Sequence, residues 1–187
     1  MKIICIGDSI TYGYPYGMTY SWVRHLAVSK GWHLVNAGVS GETSLEILNR
    51  VKQCQYFDED IDMAIIMCGS NDMIFSTNSI EKTFNNILEI LDIAVTNGAK
   101  PVLVTPILTI PSQAENQWNC GTNYPEVNRQ LGILRDMICK FGKDSGYKVI
   151  DLQQKYKSFN QYCDGVHPTE RGYKFISEFF EEELKNE

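Results

Sequence analysis

Short apolar runs alternate with longer stretches of helical period along this chain, and that alternation leaves few folds open. Lys2–Asp8, His33–Asn36, Met63–Cys68, Pro101–Pro106 and Tyr147–Asp151 read as strands. Their near-continuous apolar character suits strands covered on both faces. Between them, Tyr20–Lys30, Thr43–Gln53, Ser79–Asn97, Glu126–Asp144 and Thr169–Leu184 carry apolar residues at helical spacing. Ser79–Asn97 is the clearest, with Ile80, Phe84, Ile87, Leu88, Leu91 and Val95 on one stripe and Asn97-Gly98 as a stop signal. Five strands alternating with helices predict right-handed crossovers and an α/β fold with a mostly parallel sheet, helices on both faces. A flavodoxin-like strand order, 2-1-3-4-5, is the expectation. Ile107–Tyr124 breaks the pattern and reads as a long irregular stretch, and such loops in compact domains are usually functional or disordered.

A length of 187 residues fits a single domain spanning 1–187, and two domains would be cramped. The net charge of −6 argues against nucleic acid or a stable membrane association, both of which want a basic face. The acidic stretch Glu178–Glu187 is most simply the solvated face of a terminal helix. After Met1-Lys2 only Ile3-Ile4-Cys5-Ile6 precede the first Gly-Asp pair, too short for the apolar part of a signal peptide. None of the six cysteines forms a Cys-x-x-Cys pair, and Cys5 and Cys68 fall inside apolar runs, which suits reduced thiols in a cytoplasmic protein. With three histidines and no His-Glu-x-x-His, no metal site is expected.

Four short motifs follow the apolar runs: Gly7-Asp8-Ser9-Ile10-Thr11, Asn36-Ala37-Gly38-Val39-Ser40-Gly41-Glu42-Thr43, Gly69-Ser70-Asn71-Asp72 and Asp164-Gly165-Val166-His167-Pro168. The first three come after the first three strands, so they share the carboxyl rim where open parallel sheets bind ligands. Taken alone, Asp8-Ser9 reads more simply as a strand-to-helix turn whose side chains cap backbone donors. The Gly-x-Ser-x-Gly elbow is absent, since Gly38-Val39-Ser40-Gly41 is one residue short. Asp164 and His167 change the balance. Three residues apart on a turn, the carboxylate can hold one ring nitrogen while the other takes the Ser9 proton. Gly41 offers an unobstructed N–H, and Asn71 offers a neutral amide donor that cannot quench the imidazole. His25 and His33 lack a nearby carboxylate motif and read as structural.

In this order the motifs resemble the sequence blocks of the SGNH hydrolase superfamily, also called GDSL esterases and lipases. The resemblance implies a three-layer α/β/α sheet, no cofactor, and hydrolysis of esters or thioesters through an acyl-enzyme. It implies Ser9 as nucleophile, His167 as base and Asp164 as its orienter. The Ser9 and Gly41 N–H groups and the Asn71 side chain are implied as oxyanion donors. The reading is therefore a serine esterase acting on a small-molecule ester. The rivals are a non-catalytic binding module on the same fold and, more remotely, a receiver-type phosphoryl protein using Asp8. Tyr12, Tyr14, Tyr16, Phe75 and Trp118 lie in or beside the motif loops, where they line a substrate pocket or simply pack. Tyr12, Phe75 and Trp118 are the substrate-binding candidates, with Trp118 contacting the acyl or alcohol group. The sequence leaves the oligomeric state open.

Overall fold

The computed structural model describes residues 1–54, 56–57 and 60–187. Its sheet has the order β2-β1-β3-β4-β5, from β1 (Lys2–Gly7), β2 (His33–Gly38), β3 (Met63–Met67), β4 (Lys100–Val104) and β5 (Lys148–Ile150). Every pairing is parallel. The expected strand order holds, and the sheet is parallel throughout.

Alternate strand residues divide the core into two layers. Ile3, Cys5, Met63, Ile65, Val102 and Ile150 pack on one face with α2 (Trp22–Lys30) and α9 (Glu170–Glu183). Ile4, Ile6, Ala64, Ile66 and Leu103 pack on the other with α3 (Ser44–Gln53), α5 (Ile80–Thr96) and α7 (Tyr124–Ser145). Burial on both faces explains why these strands read as unbroken apolar runs rather than as alternating ones. The remaining short helices are α1 (Ser9–Tyr12), α4 (Ser70–Ile74), α6 (Pro111–Gln117) and α8 (Leu152–Lys155). No helix among the described residues is long and apolar enough to cross a membrane.

One expectation needs correcting. The stretch Ile107–Tyr124 is not irregular throughout, because it holds α6, with Pro111 in its first turn. Proline is favoured there, since its missing N–H would have no partner in any case. Of the α6 residues only Ala114 is buried, so the helix carries no apolar stripe for periodicity to find. The extended residues before it are also anchored. The Thr109 N–H and hydroxyl donate to Asn128 Oδ1 at 2.8 and 2.9 Å, and Asn128 Nδ2 returns a bond to the Thr109 carbonyl at 3.0 Å.

Two features of this frame place the site. In β1, Gly7 pairs with Gly38 of β2 and with Met67 of β3. Ser9, Gly41 and Asn71 follow those three paired residues within four positions, so they emerge side by side at the carboxyl edge. A third apolar cluster underpins that edge, joining Met73 and Ile74 of α4, Ala114 of α6, Val127 and Leu131 of α7, and Val166.

Candidate active site

Ser9 opens α1, where the Asp8 carboxylate caps the helix by accepting the Ile10 N–H at 3.0 Å. Its Oγ lies 3.0 Å from His167 Nε2, and His167 Nδ1 lies 2.7 Å from Asp164 Oδ2. Asp164 Oδ1 also accepts the N–H groups of Val166 and His167 at 2.9 and 2.7 Å, so one carboxylate folds the turn and grips the ring. The three residues arrive from opposite ends of the chain because α9 packs on α2, with the Phe180 ring edge-on to Trp22 at 4.7 Å. That packing accompanies the approach of the turn before α9 to Ser9, just past the first strand.

Electrostatics differ sharply between the two carboxylates. Burial pushes the Asp164 carboxyl up, but the His167 ring and the two N–H donors outweigh this and leave it below the usual range. It is therefore an ionised acceptor at neutral pH, and a neutral imidazole facing it would carry its hydrogen on Nδ1 and turn a bare Nε2 to the Ser9 hydroxyl. Asp8 is enclosed, and burial raises its pKa to about 6 despite the Ile10 N–H and the nearby His167. The neighbouring Cys163 thiol is pushed by burial up to about 11, so it stays protonated at neutral pH and is a poor rival nucleophile.

Two of the candidate oxyanion donors, Asn71 and Gly41, lie on turns that are linked to one another. Asn71 is buried, and its Nδ2 donates to the Glu42 carbonyl, one residue past Gly41, at 2.8 Å. Among the described residues the second Nδ2 hydrogen has no acceptor. Gly41 has φ +87°, a conformation that suits glycine, and open space where a side chain would stand.

A model of the GDSL-like lipase/acylhydrolase family matches residues 5–175. The chain belongs to that family. Membership assigns this GDSL-like protein to ester hydrolysis in general terms. The lipase/acylhydrolase from Enterococcus faecalis has a TM-score of 0.78 at 25% identity, covering 98% of this chain and 95% of that one. The aryl esterase of M. smegmatis gives 0.81 at 18% identity, with 98% of each chain covered. The carbohydrate acetylesterase Est24 from Sinorhizobium meliloti gives 0.80 at 17% identity, again over 98% of each. At such identities these likenesses carry the fold. No curated protein matches the chain.

Around the GDSL-like site, the aromatic candidates separate. Trp118, at the end of α6, stands with its ring 4.6 Å from that of His167, and the Tyr14 ring stands 4.5 Å from it. The two also meet edge to face at 5.7 Å. The Tyr14 carbonyl is fixed by the Tyr173 hydroxyl at 2.6 Å. Phe75 lies elsewhere, on an open hollow of about 370 Å³ whose wall includes Gly41, Leu45, Thr77 and Asn78. Among the described residues no ring contact joins Tyr12 to His167, and the Tyr12 backbone lies against Gly38. His25 and His33 sit on α2 and at the start of β2, away from the Ser9–His167 pair. Among the described residues no group of three or more His, Cys, Asp or Glu is arranged to hold a metal ion.

Two supporting residues escaped the sequence reading. Arg50 Nε reaches both Glu42 carboxylate oxygens at 3.0 and 2.8 Å, and its Nη1 donates to the Tyr56 hydroxyl at 2.7 Å. Asp72 is fully buried and accepts from Ser44 N, Ser44 Oγ, Asn78 Nδ2 and Thr83 Oγ1 at 2.6–3.2 Å. It binds the third-strand turn to the start of α3 and to α5. A charged residue eight positions from its partner carries no periodic signal, and Asp72 in isolation reads as ordinary turn chemistry.

The docking of the His167 turn is also specific. Gly165 has φ +85°, and a Cβ there would fall 2.3 Å from the Ala114 nitrogen and 2.8 Å from the Ile110 carbonyl oxygen. The Ile110 N–H donates to the Gly165 carbonyl at 2.7 Å. Only glycine permits this seating of the turn on the first residues of α6.

Proposed function

We propose that this protein is a serine esterase that hydrolyses carboxylic or thio esters of a small substrate through an acyl-enzyme. The observation that carries the reading is the continuous chain Ser9 Oγ–His167 Nε2 at 3.0 Å and His167 Nδ1–Asp164 Oδ2 at 2.7 Å. Both spacings lie within hydrogen-bond reach, as a nucleophile, its base and the base's orienter require.

His167 takes the Ser9 proton as Oγ attacks the ester carbonyl. Asp164, ionised and hydrogen-bonded to Nδ1, keeps the ring in the tautomer that can accept it and steadies the imidazolium. The carbonyl oxygen becomes an oxyanion, met by the Ser9 and Gly41 N–H groups and the spare Asn71 hydrogen, donors that are in place before the charge develops. His167 then gives its proton to the leaving oxygen or sulfur, the C–O or C–S bond breaks, and the acyl group remains on Ser9. Water, deprotonated by His167, repeats the attack and frees the acid. No step draws on a cofactor. The acidic surface and unpaired cysteines favour a small-molecule substrate in a reducing cytoplasmic setting over nucleic acid or membrane.

A fluorophosphonate probe tests the assignment. It should label Ser9 in the parent protein and label nothing in Ser9→Ala. Labelling that persists in Ser9→Ala, or that maps to Ser40 or Ser70, removes Ser9 from the role.

A further inference from the structure

The site has two walls that share no residue, and the direction of proton transfer tells them apart. We infer that the substrate lies in one orientation: its alcohol part against Tyr14 and Trp118, its acyl part toward the Leu45–Phe75 hollow, with the aromatic pair selecting ring-bearing leaving groups. This inference rests on the esterase reading above and names the substrate class that reading leaves open.

The chemistry fixes the first half. His167 Nε2 must hand its proton to the leaving oxygen, which therefore comes within about 2.6–3.2 Å of the imidazole. Whatever is bonded to that oxygen starts beside the ring. The Tyr14 and Trp118 rings stand 4.5 and 4.6 Å from the same imidazole, centroid to centroid. The first atoms of the alcohol therefore emerge against these two side chains. Trp118 is 37% exposed, so it still has apolar surface to offer a ligand. Two aromatic rings set edge to face at 74° present a corner, which suits a flat ring better than a flexible chain.

The second half follows from the tetrahedral carbon. Oγ, the oxyanion and the leaving oxygen take three of its four directions, and the acyl chain takes the remaining one, which diverges from the leaving oxygen and so from the aromatic pair. Gly41, a candidate donor, forms the edge of the hollow bounded by Leu45, Phe75 and Thr77. Leu45 and Phe75 are among the exposed large apolar residues, at 38% and 45%. Among the described residues no ring contact joins Phe75 to Tyr14 or Trp118, and Leu45 and Phe75 come from the β2 and β3 side of the rim rather than from α6. The leaving group's ring can be an aryl group or the C–H face of a pyranose. Both pack on aromatic side chains by the same contact.

Two ester series decide it. One fixes an acetyl group and varies the alcohol between phenyl, an acetylated methyl pyranoside and open-chain alcohols. The other fixes p-nitrophenol and lengthens the acyl chain. Trp118→Ala should lower kcat/KM for ring alcohols relative to open-chain alcohols by about 3- to 10-fold, the worth of one aromatic contact. It should leave the order of acyl preference intact, and Trp118→Phe should recover most of the loss. Phe75→Ala should do the reverse, shifting the acyl profile and sparing the alcohol profile. Because each comparison is a ratio within one variant, a general loss of activity from imperfect folding cancels. A larger loss for phenyl or for the pyranoside identifies which ring the site takes. A Trp118→Ala protein that shifts the acyl profile, shifts both profiles or shifts neither overturns the orientation. A parent protein that neither takes the fluorophosphonate label nor cleaves any of these esters overturns the esterase reading itself.

Discussion

The Asn71 side-chain amide donates to the Glu42 carbonyl at 2.8 Å, joining the turn after β3 to the turn after β2. One amide hydrogen is thereby spent on structure, and its direction sets where the other points. Two of the oxyanion donors proposed for this site, Asn71 and Gly41, thus sit on turns that one hydrogen bond holds together.

Asn71→Ala is expected to lower kcat by about 10²–10³-fold, the usual cost of removing one oxyanion donor. KM should change little, since the charge it meets exists only in the transition state. Steady-state kinetics on one ester suffice, and an effect confined to KM would refute the role.

Arg50 should act on the same pair of turns from behind. Its guanidinium clasps the Glu42 carboxylate, with both side chains largely buried at 14% and 18% exposure. Arg50→Ala is expected to lower kcat more than it raises KM, and to cost less in an Asn71→Ala background than alone, because groups sharing a network are not additive. Full additivity across the four proteins of that double-mutant cycle would make Arg50 a stabilising residue only.

Asp164→Asn tests the orienter. The amide can still accept from the Val166 and His167 N–H groups, so the turn should survive. What changes is the partner of Nδ1, where an amide can present a donor and favour the wrong tautomer. A fall in kcat on the order of 10³–10⁴-fold is expected, with the melting temperature nearly unchanged. An active Asp164→Asn protein would remove the carboxylate from the mechanism.

Much of this site was legible because its residues fall just after apolar runs, at positions fixed by β1, β2 and β3. Ser9, Gly41 and Asn71 follow paired strand residues, so strand prediction alone put them on one rim. The turn carrying Asp164 and His167 follows no paired strand residue so directly, and its place depends on α9 packing against α2, which no local pattern encodes. The same limit hid α6, with its single buried residue, and the Arg50–Glu42 and Asp72–Ser44 contacts between separate elements. Trp118 and Tyr14 could be named as loop aromatics, but their meeting over His167 is a product of tertiary packing.

Asp8 gives a stability prediction of definite sign. Its pKa rises from 3.8 to about 6 on folding, so between those values the folded protein binds the proton that the unfolded chain releases. Stability from this group is full below pH 3.8 and falls as the pH climbs toward about 6, leaving a constant penalty above. Asp164, with its lowered value, has the opposite sign: it stabilises above its unfolded pKa and loses that contribution as the pH falls through the folded one. Asp8→Asn retains an acceptor for Ile10 and removes the buried charge. At pH 8 it should melt higher than the parent, by about 2–4 °C for each kcal/mol recovered, with the gap closing toward acid pH. Scanning calorimetry across pH checks this, and equal melting temperatures at pH 8 would contradict it.

The seating of Gly165 on Ile110 and Ala114 has a consequence for how this enzyme can change over evolutionary time or at an engineer's hand. The helix that ends in Trp118 also serves as the bed of the turn that holds His167. Transplanting that helix from a relative to alter selectivity would re-aim the imidazole as well. New specificities are therefore most accessible through Phe75 and Leu45, which lie on elements that do not bear His167.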